Sequence, residues 1–174
     1  MLPRHICLVL AALAWLLAGQ IGADAQSWKK HRYATDGFEV EFSGDVKVVP
    51  TSINAETQTK IVRSTDYQQD SGDYVYIVGA SLLLVDVNFE NGIKQSYASL
   101  KCKTTTRDTA LALKGGSARE VRGTDCHDGN FRVEARYFTT GKWFYQVIAL
   151  FKKDSGFDQG ARRFVESFKV IDKK

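Results

Sequence analysis

The segment Thr124-Asp125-Cys126-His127-Asp128-Gly129 sets a thiol beside an imidazole, with an aspartate on either side. Such groups can hold a metal ion, or form a thiolate activated by a neighbouring base. The spacing weighs against a shared ion, because adjacent strand residues point to opposite faces and Cys126 and His127 diverge. Asp125 and Asp128 lack the alternating Asp/Asn ladder and the closing Glu of a calcium loop. Asp128-Gly129 is instead a two-residue hairpin signal, since both positions tolerate positive φ. His127 is then expected on an exposed turn.

The role of Cys126 depends on the compartment. Met1 to His5 is a short positive start, Ile6 to Ala18 is almost wholly apolar, and Ala23-Asp24-Ala25 is a small-x-small cleavage motif. These features predict a signal peptide over residues 1–25 and one mature domain over 26–174. The apolar run is too short to cross about 30 Å of hydrocarbon as a helix, so no membrane span is expected after cleavage. The expected location is periplasmic or secreted. Cys7 leaves with the leader, and Cys102 and Cys126 remain. A pair of cysteines in an oxidising compartment reads as a disulfide, closing a loop of about 25 residues for about 3 kcal/mol. A metal held by Cys102, Cys126, His127 and an aspartate, or a free reactive thiol, are the competing readings.

Other catalytic signatures are not found. The chain has no Gly-x-Ser-x-Gly elbow, phosphate loop, dinucleotide glycine pattern or His-Glu-x-x-His. Glu39 and Glu41 share one strand face at about 7 Å, a glycosidase-like separation, but nothing nearby would set their pKa values apart. The expectation is a non-enzyme with no metal and no cofactor. Export argues against nucleic acid. The net charge of +4 is mild, and removing Arg4 and Asp24 with the leader leaves it unchanged. Lys29-Lys30-His31-Arg32 and Arg162-Arg163 read as solvated clusters, with an anionic lipid or acidic partner as the alternative.

The elements that must position these residues follow from periodicity. Phe38 to Phe42 alternates as a half-buried strand, and Val46 to Val49 is a short strand stopped by Pro50. Thr57 to Tyr67 suits an edge strand. Tyr74 to Val85 and Trp143 to Phe151 are apolar on both faces, which describes central strands covered on both sides. Phe89, Ile93, Tyr97 and Leu100 form one helix face, with Asn88 as its cap and Gly92 a local cost. Thr109–Leu113, Ser117–Asp125 and Phe131–Thr139 form a meander, with Lys114-Gly115-Gly116 and Thr140-Gly141 as turns. A closing helix carries the stripe Phe157, Ala161, Phe164, Val165 and Phe168, with Ser155 and Asp158 as a shortened capping box. The expected fold is α+β: a single antiparallel sheet with helices on both faces, an α/β/α sandwich. Tyr74, Tyr76, Trp143 and Tyr145 on the two central strands form a candidate ligand pocket, with core packing as the competing role.

Tyr33-x-x-x-Gly37-Phe38-x-Val40-x-Phe42, Trp143-Phe144-Tyr145-Gln146-Val147 and Ala161-Arg162-Arg163-Phe164-x-x-Ser167-Phe168 resemble small exported bacterial proteins of the PsbP-like fold group, which includes the extrinsic PsbP proteins of photosystem II. These are packing motifs and specify a fold more than an activity. The resemblance implies a non-catalytic binding or assembly domain whose partner is an unknown protein or cell-envelope component. A small-ligand carrier with an aromatic pocket is the alternative, followed by a hydrolase.

Overall fold

A computed structural model describes residues 27–51 and 59–171. The expected leader, residues 1–25, lies outside the described residues. Ten strands and two helices are described: β1 (Lys29–Tyr33), β2 (Phe38–Phe42), β3 (Lys47–Pro50), β4 (Ile61–Asp70), β5 (Tyr74–Leu83), α1 (Phe89–Ser99), β6 (Thr104–Leu111), β7 (Gly116–Cys126), β8 (Phe131–Thr140), β9 (Trp143–Lys152), α2 (Asp158–Ser167) and β10 (Lys169–Val170). Every pairing is antiparallel, as the α+β expectation requires.

The single sheet expected from the sequence is corrected to two. Seven strands run β3-β4-β5-β9-β8-β7-β6, and a separate three-stranded sheet runs β1-β2-β10. The alternation of β2 reports a buried face, with Phe38, Val40 and Phe42 at 1% exposure or less, but it does not say which strand lies beside it. That neighbour is β1, which looks like a basic surface cluster in the sequence. Lys30 and Arg32 point to solvent, while His31 and Tyr33 turn inward as half-buried rings. β10 has only two residues and pairs with β2 at Glu39 and Phe38.

The layers follow from two clusters of buried side chains. On one face of the large sheet, Tyr76, Val78, Tyr145 and Val147 pack against Phe38 and Phe42 of the small sheet and Ala161, Phe164 and Val165 of α2. On the other face, Val121, Ala135, Tyr137, Phe144 and Ile148 pack against Ile93 and Leu100, on and just after α1. So α2 shares its face with the small sheet, and the sandwich is not a plain helix–sheet–helix stack. The edges are blunted: Lys47 and Pro50 sit on β3, and β6 is broken by a register shift between Thr105 and Arg107.

The helix starts differ. Asn88 caps α1, its side chain accepting from Asn91 N at 3.0 Å. Ser155 does not cap α2. The helix begins after Phe157 without a side-chain cap, and Ser155 Oγ donates to Lys152 O at 2.6 Å. Asp158 faces Arg132 at 3.3 Å, so the cross-strand arginine takes the carboxylate that a capping box would use.

Candidate functional site

Cys102 and Cys126 form a disulfide with an S–S distance of 2.04 Å. It ties the segment after α1 to the end of β7, and both sulphurs are spent in it. The turn beyond is wider than the two-residue hairpin expected: His127 to Asn130 separate β7 from β8. His127, Asp128 and Gly129 have φ of 44°, 66° and 90°, and Gly129 N donates to Cys126 O at 3.2 Å. A register shift between Gly123 and Cys126 consumes the residues that a tight turn would have paired. His127 is exposed and meets the Phe131 ring edge-on.

The four aromatic candidates lie on one face of β5 and β9 but are not brought together. Across those strands Tyr76 faces Ala149, whereas Tyr145 faces Ala80 and Trp143 faces Leu82. Tyr76 is fully buried and stacks on Phe164 at 4.7 Å, with Tyr74 tilted against it. Tyr145 donates to Asp36 O at 2.8 Å, and Trp143 stacks on Tyr145. These rings fill the core. Of the four, Trp143 and Tyr145 border a shallow depression of about 320 Å³, and Tyr74 and Tyr76 do not. The carboxylates singled out in β2 are engaged: Glu39 by Lys30 and Arg32, and Glu41 by both Nε and Nη2 of Arg163.

A different site appears on the α1 face. α1 covers only part of it, and beside the helix lies an open groove of about 780 Å³. Ser64 of β4, Ser81 of β5 and Gln146 of β9 contribute the sheet side, and Asn91, Gln95 and Ser96 contribute the helix side. Lys60, Val85 and Asp86 also line it. The sheet side is polar because of one glycine. Gly79 pairs with Asp66 and with Gln146, and a Cβ there would lie 3.2 Å from Asp66 Oδ1 and 3.6 Å from Gln146 Nε2. Ser64 and Ser81 face each other with their hydroxyls 2.8 Å apart. Gly92 has a similar use in α1: a Cβ there would sit 3.0 Å from the Phe144 ring, so the bare backbone lets the helix settle onto β9.

Asp66 accepts from Thr51 Oγ1 at 2.8 Å. Burial pushes its carboxyl up from 3.8, and the Thr51 hydroxyl offsets part of that. A raised carboxyl pKa favours the folded state below 3.8, and this contribution is lost as pH rises through the folded value. At neutral pH the charge on Asp66 therefore costs stability. Asp66→Asn, which keeps an acceptor for Thr51, is expected to be more stable than the parent at pH 7, with the gain fading toward pH 3. Urea unfolding at both pH values measures it, and a less stable variant at pH 7 contradicts the burial argument.

The sequence carried a signal for this groove. Asn88, Asn91, Gly92, Gln95 and Ser96 recur at helical spacing, an uncharged polar stripe beside the apolar one. Gly79-Ala80-Ser81 marks the facing strand. The apolar residues around them dominate the hydropathy pattern and hide the groove.

No family model and no curated protein matches the chain. Among solved structures it resembles the solution structure of cyanobacterial PsbP (CyanoP) from Synechocystis sp. PCC 6803, with a TM-score of 0.57 over 87% of this chain and 96% of that one, at 14% identity. The fold is PsbP-like. At that identity the resemblance carries the architecture alone.

Proposed function

We propose that the protein is a non-catalytic, exported binding domain that holds a protein partner or cell-envelope component, with the groove beside α1 as the seat. The observation that carries this is the union of hydrogen-bonding groups with an apolar rim. Val48, Val49, Val62, Leu84 and Val85 are the large hydrophobics exposed among the described residues, at 37–56%. Val85 lines the groove itself, and the other four lie outside it on the same β3–β4–β5 corner. Exposed aliphatics gathered at one place mark a surface that a partner covers.

The non-catalytic part draws support from how the ionisable groups are placed. His31 sits on the small sheet and His127 on an exposed turn, and Glu39 and Glu41 are tied to basic partners. Export is supported by the disulfide. Among the described residues no helix is long and apolar enough to cross a membrane. The carrier alternative needs Tyr74, Tyr76, Trp143 and Tyr145 around one cavity, and their division between core positions gives it no support.

Capture from envelope extracts on the immobilised exported protein tests the reading. A Leu84→Asp/Val85→Asp variant puts charge on one exposed groove residue and on its exposed neighbour, and leaves the core alone. It is expected to lose the captured components, whereas Lys169→Glu on the small sheet retains them. Equal capture by both variants would sink the assignment of the groove. Thermal melting of each variant confirms that it is folded.

A further inference from the structure

We infer that the groove beside α1 takes an extended, uncharged polypeptide segment and reads its backbone amides through Asn91, Gln95 and Gln146. This rests on the binding role given above and names the chemistry of what is bound.

The lining of the groove is selective in charge. α1 does carry charges, but they lie outside the groove: Glu90 pairs with Arg119, and Lys94 borders a depression on the β7 side that shares Asn88 and Asn91 with the groove. The residues that α1 turns to the groove are amides, a hydroxyl and a glycine. The sheet side answers with Ser64, Ser81 and Gln146. The charged lining residues are Lys60 and Asp86, of opposite sign. These two charges sum to zero, so the lining carries no net charge to favour an anion or a cation, whereas a neutral polar ligand finds donors and acceptors on both sides.

Those donors and acceptors are available. The side chains of Asn91, Gln95 and Gln146 make no hydrogen bond to other described residues, while Ser64 and Ser81 bond each other and Ser96 donates to Tyr137 Oη at 3.2 Å. A primary amide offers donor and acceptor together, the same pair that each peptide unit presents. Three such groups around one groove match a main chain that still has its own amides free, as an extended chain does.

The apolar rim suits the same occupant. An extended segment sends alternate side chains to opposite sides, so one set can lie on Ile61, Leu83 and Val85 while the backbone meets the amides. The stripe from Asn88 to Ser96 rises about 12 Å along α1, the length of about four extended residues. A saccharide would share the hydrogen-bonding chemistry, but it favours an open aromatic face. The aromatic ring in this groove, Phe144, is 7% exposed and lies under Gly92.

The test uses the exported protein and a phage library of linear dodecapeptides, with chitotetraose as a neutral sugar probe. A Gln95→Leu/Gln146→Leu variant removes two amides at near-constant shape. Enriched peptides are expected to be poor in charge, to shift backbone amide resonances of α1, β5 and β9, and to bind the variant about ten-fold more weakly. No enrichment, undiminished binding to the variant, or shifts of these resonances by chitotetraose and not by peptide would each overturn the inference. The envelope capture separates the two claims. Capture that needs Leu84 and Val85 but ignores Gln95 and Gln146 keeps the binding role and sinks the amide readout, whereas capture indifferent to all four residues sinks the binding role itself.

Discussion

Phe164→Ala is expected to destabilise the protein by about 3–5 kcal/mol, enough to lower the melting temperature by roughly 10 °C or more. Phe164 is fully buried where three elements meet. Its ring stacks on Tyr76 of β5 at 4.7 Å with planes 9° apart, and lies 5.1 Å from Phe42 of β2. It is therefore the point at which α2 holds the small sheet to the large one. Truncation leaves a cavity between two sheets whose backbones are fixed by their own ladders, so little collapse can relieve it. Phe164→Leu, which keeps most of the volume, should recover a large part of the loss. Equilibrium urea unfolding gives both values. A loss below about 1 kcal/mol for the alanine variant would show that the site repacks and that α2 is not the clamp described here.

Asp36→Ala is expected to cost about 2–4 kcal/mol, a smaller loss because one of its partners reaches solvent. Asp36 is 3% exposed, in the turn between β1 and β2. Its carboxylate accepts from Arg63 and from the Tyr67 hydroxyl, both on β4, and its main-chain oxygen accepts from Tyr145 of β9. Arg63 also donates to Thr35 O at 3.0 Å and lies over the Trp143 ring. The alanine variant leaves the buried Tyr67 hydroxyl without its acceptor, at a position where burial, reinforced by Asp36, already holds the phenol protonated. A double-mutant cycle with Tyr67→Phe isolates the pair, and an interaction energy near zero would mean that the two residues contribute independently. Hydrogen exchange offers a second check, because the β1–β2 amides should lose protection before those of β5 and β9.

Much of this architecture was legible along the chain. The stripe of α2 is visible at once, because its five residues are apolar, three of them phenylalanines, and recur at helical spacing. β2 and β8 show as strands by alternation at period two, and β5 and β9 as continuous apolar runs. The cysteine pair was found from counting and compartment alone. The failures share a cause. β1 carries Lys29, Lys30 and Arg32, so its composition says surface, although His31 and Tyr33 point inward and Tyr33 lies 4.0 Å from the Tyr67 ring. β5 looks apolar on both faces because Ile77 and Leu83 flank Gly79 and Ser81, and the polar character of that face emerges only when Asp66 and Gln146 from two neighbouring strands close over the glycine. The four aromatics looked like a pocket because adjacency of β5 and β9 was expected. That adjacency is real, but the antiparallel register sets Tyr76 and Tyr145 opposite different alanines.

Residue order alone thus determined both helices and most of the strands, the buried stripe of each helix, and that two cysteines join. Tertiary structure decided the split into two sheets, the loss of the aromatic pocket to the core, and the polar groove beside α1. The reason is that periodicity records how one element meets its surroundings. Which element supplies those surroundings is set by contacts such as Phe38 on Phe168 or Glu41 on Arg163, between residues more than a hundred positions apart, and no local spacing encodes them.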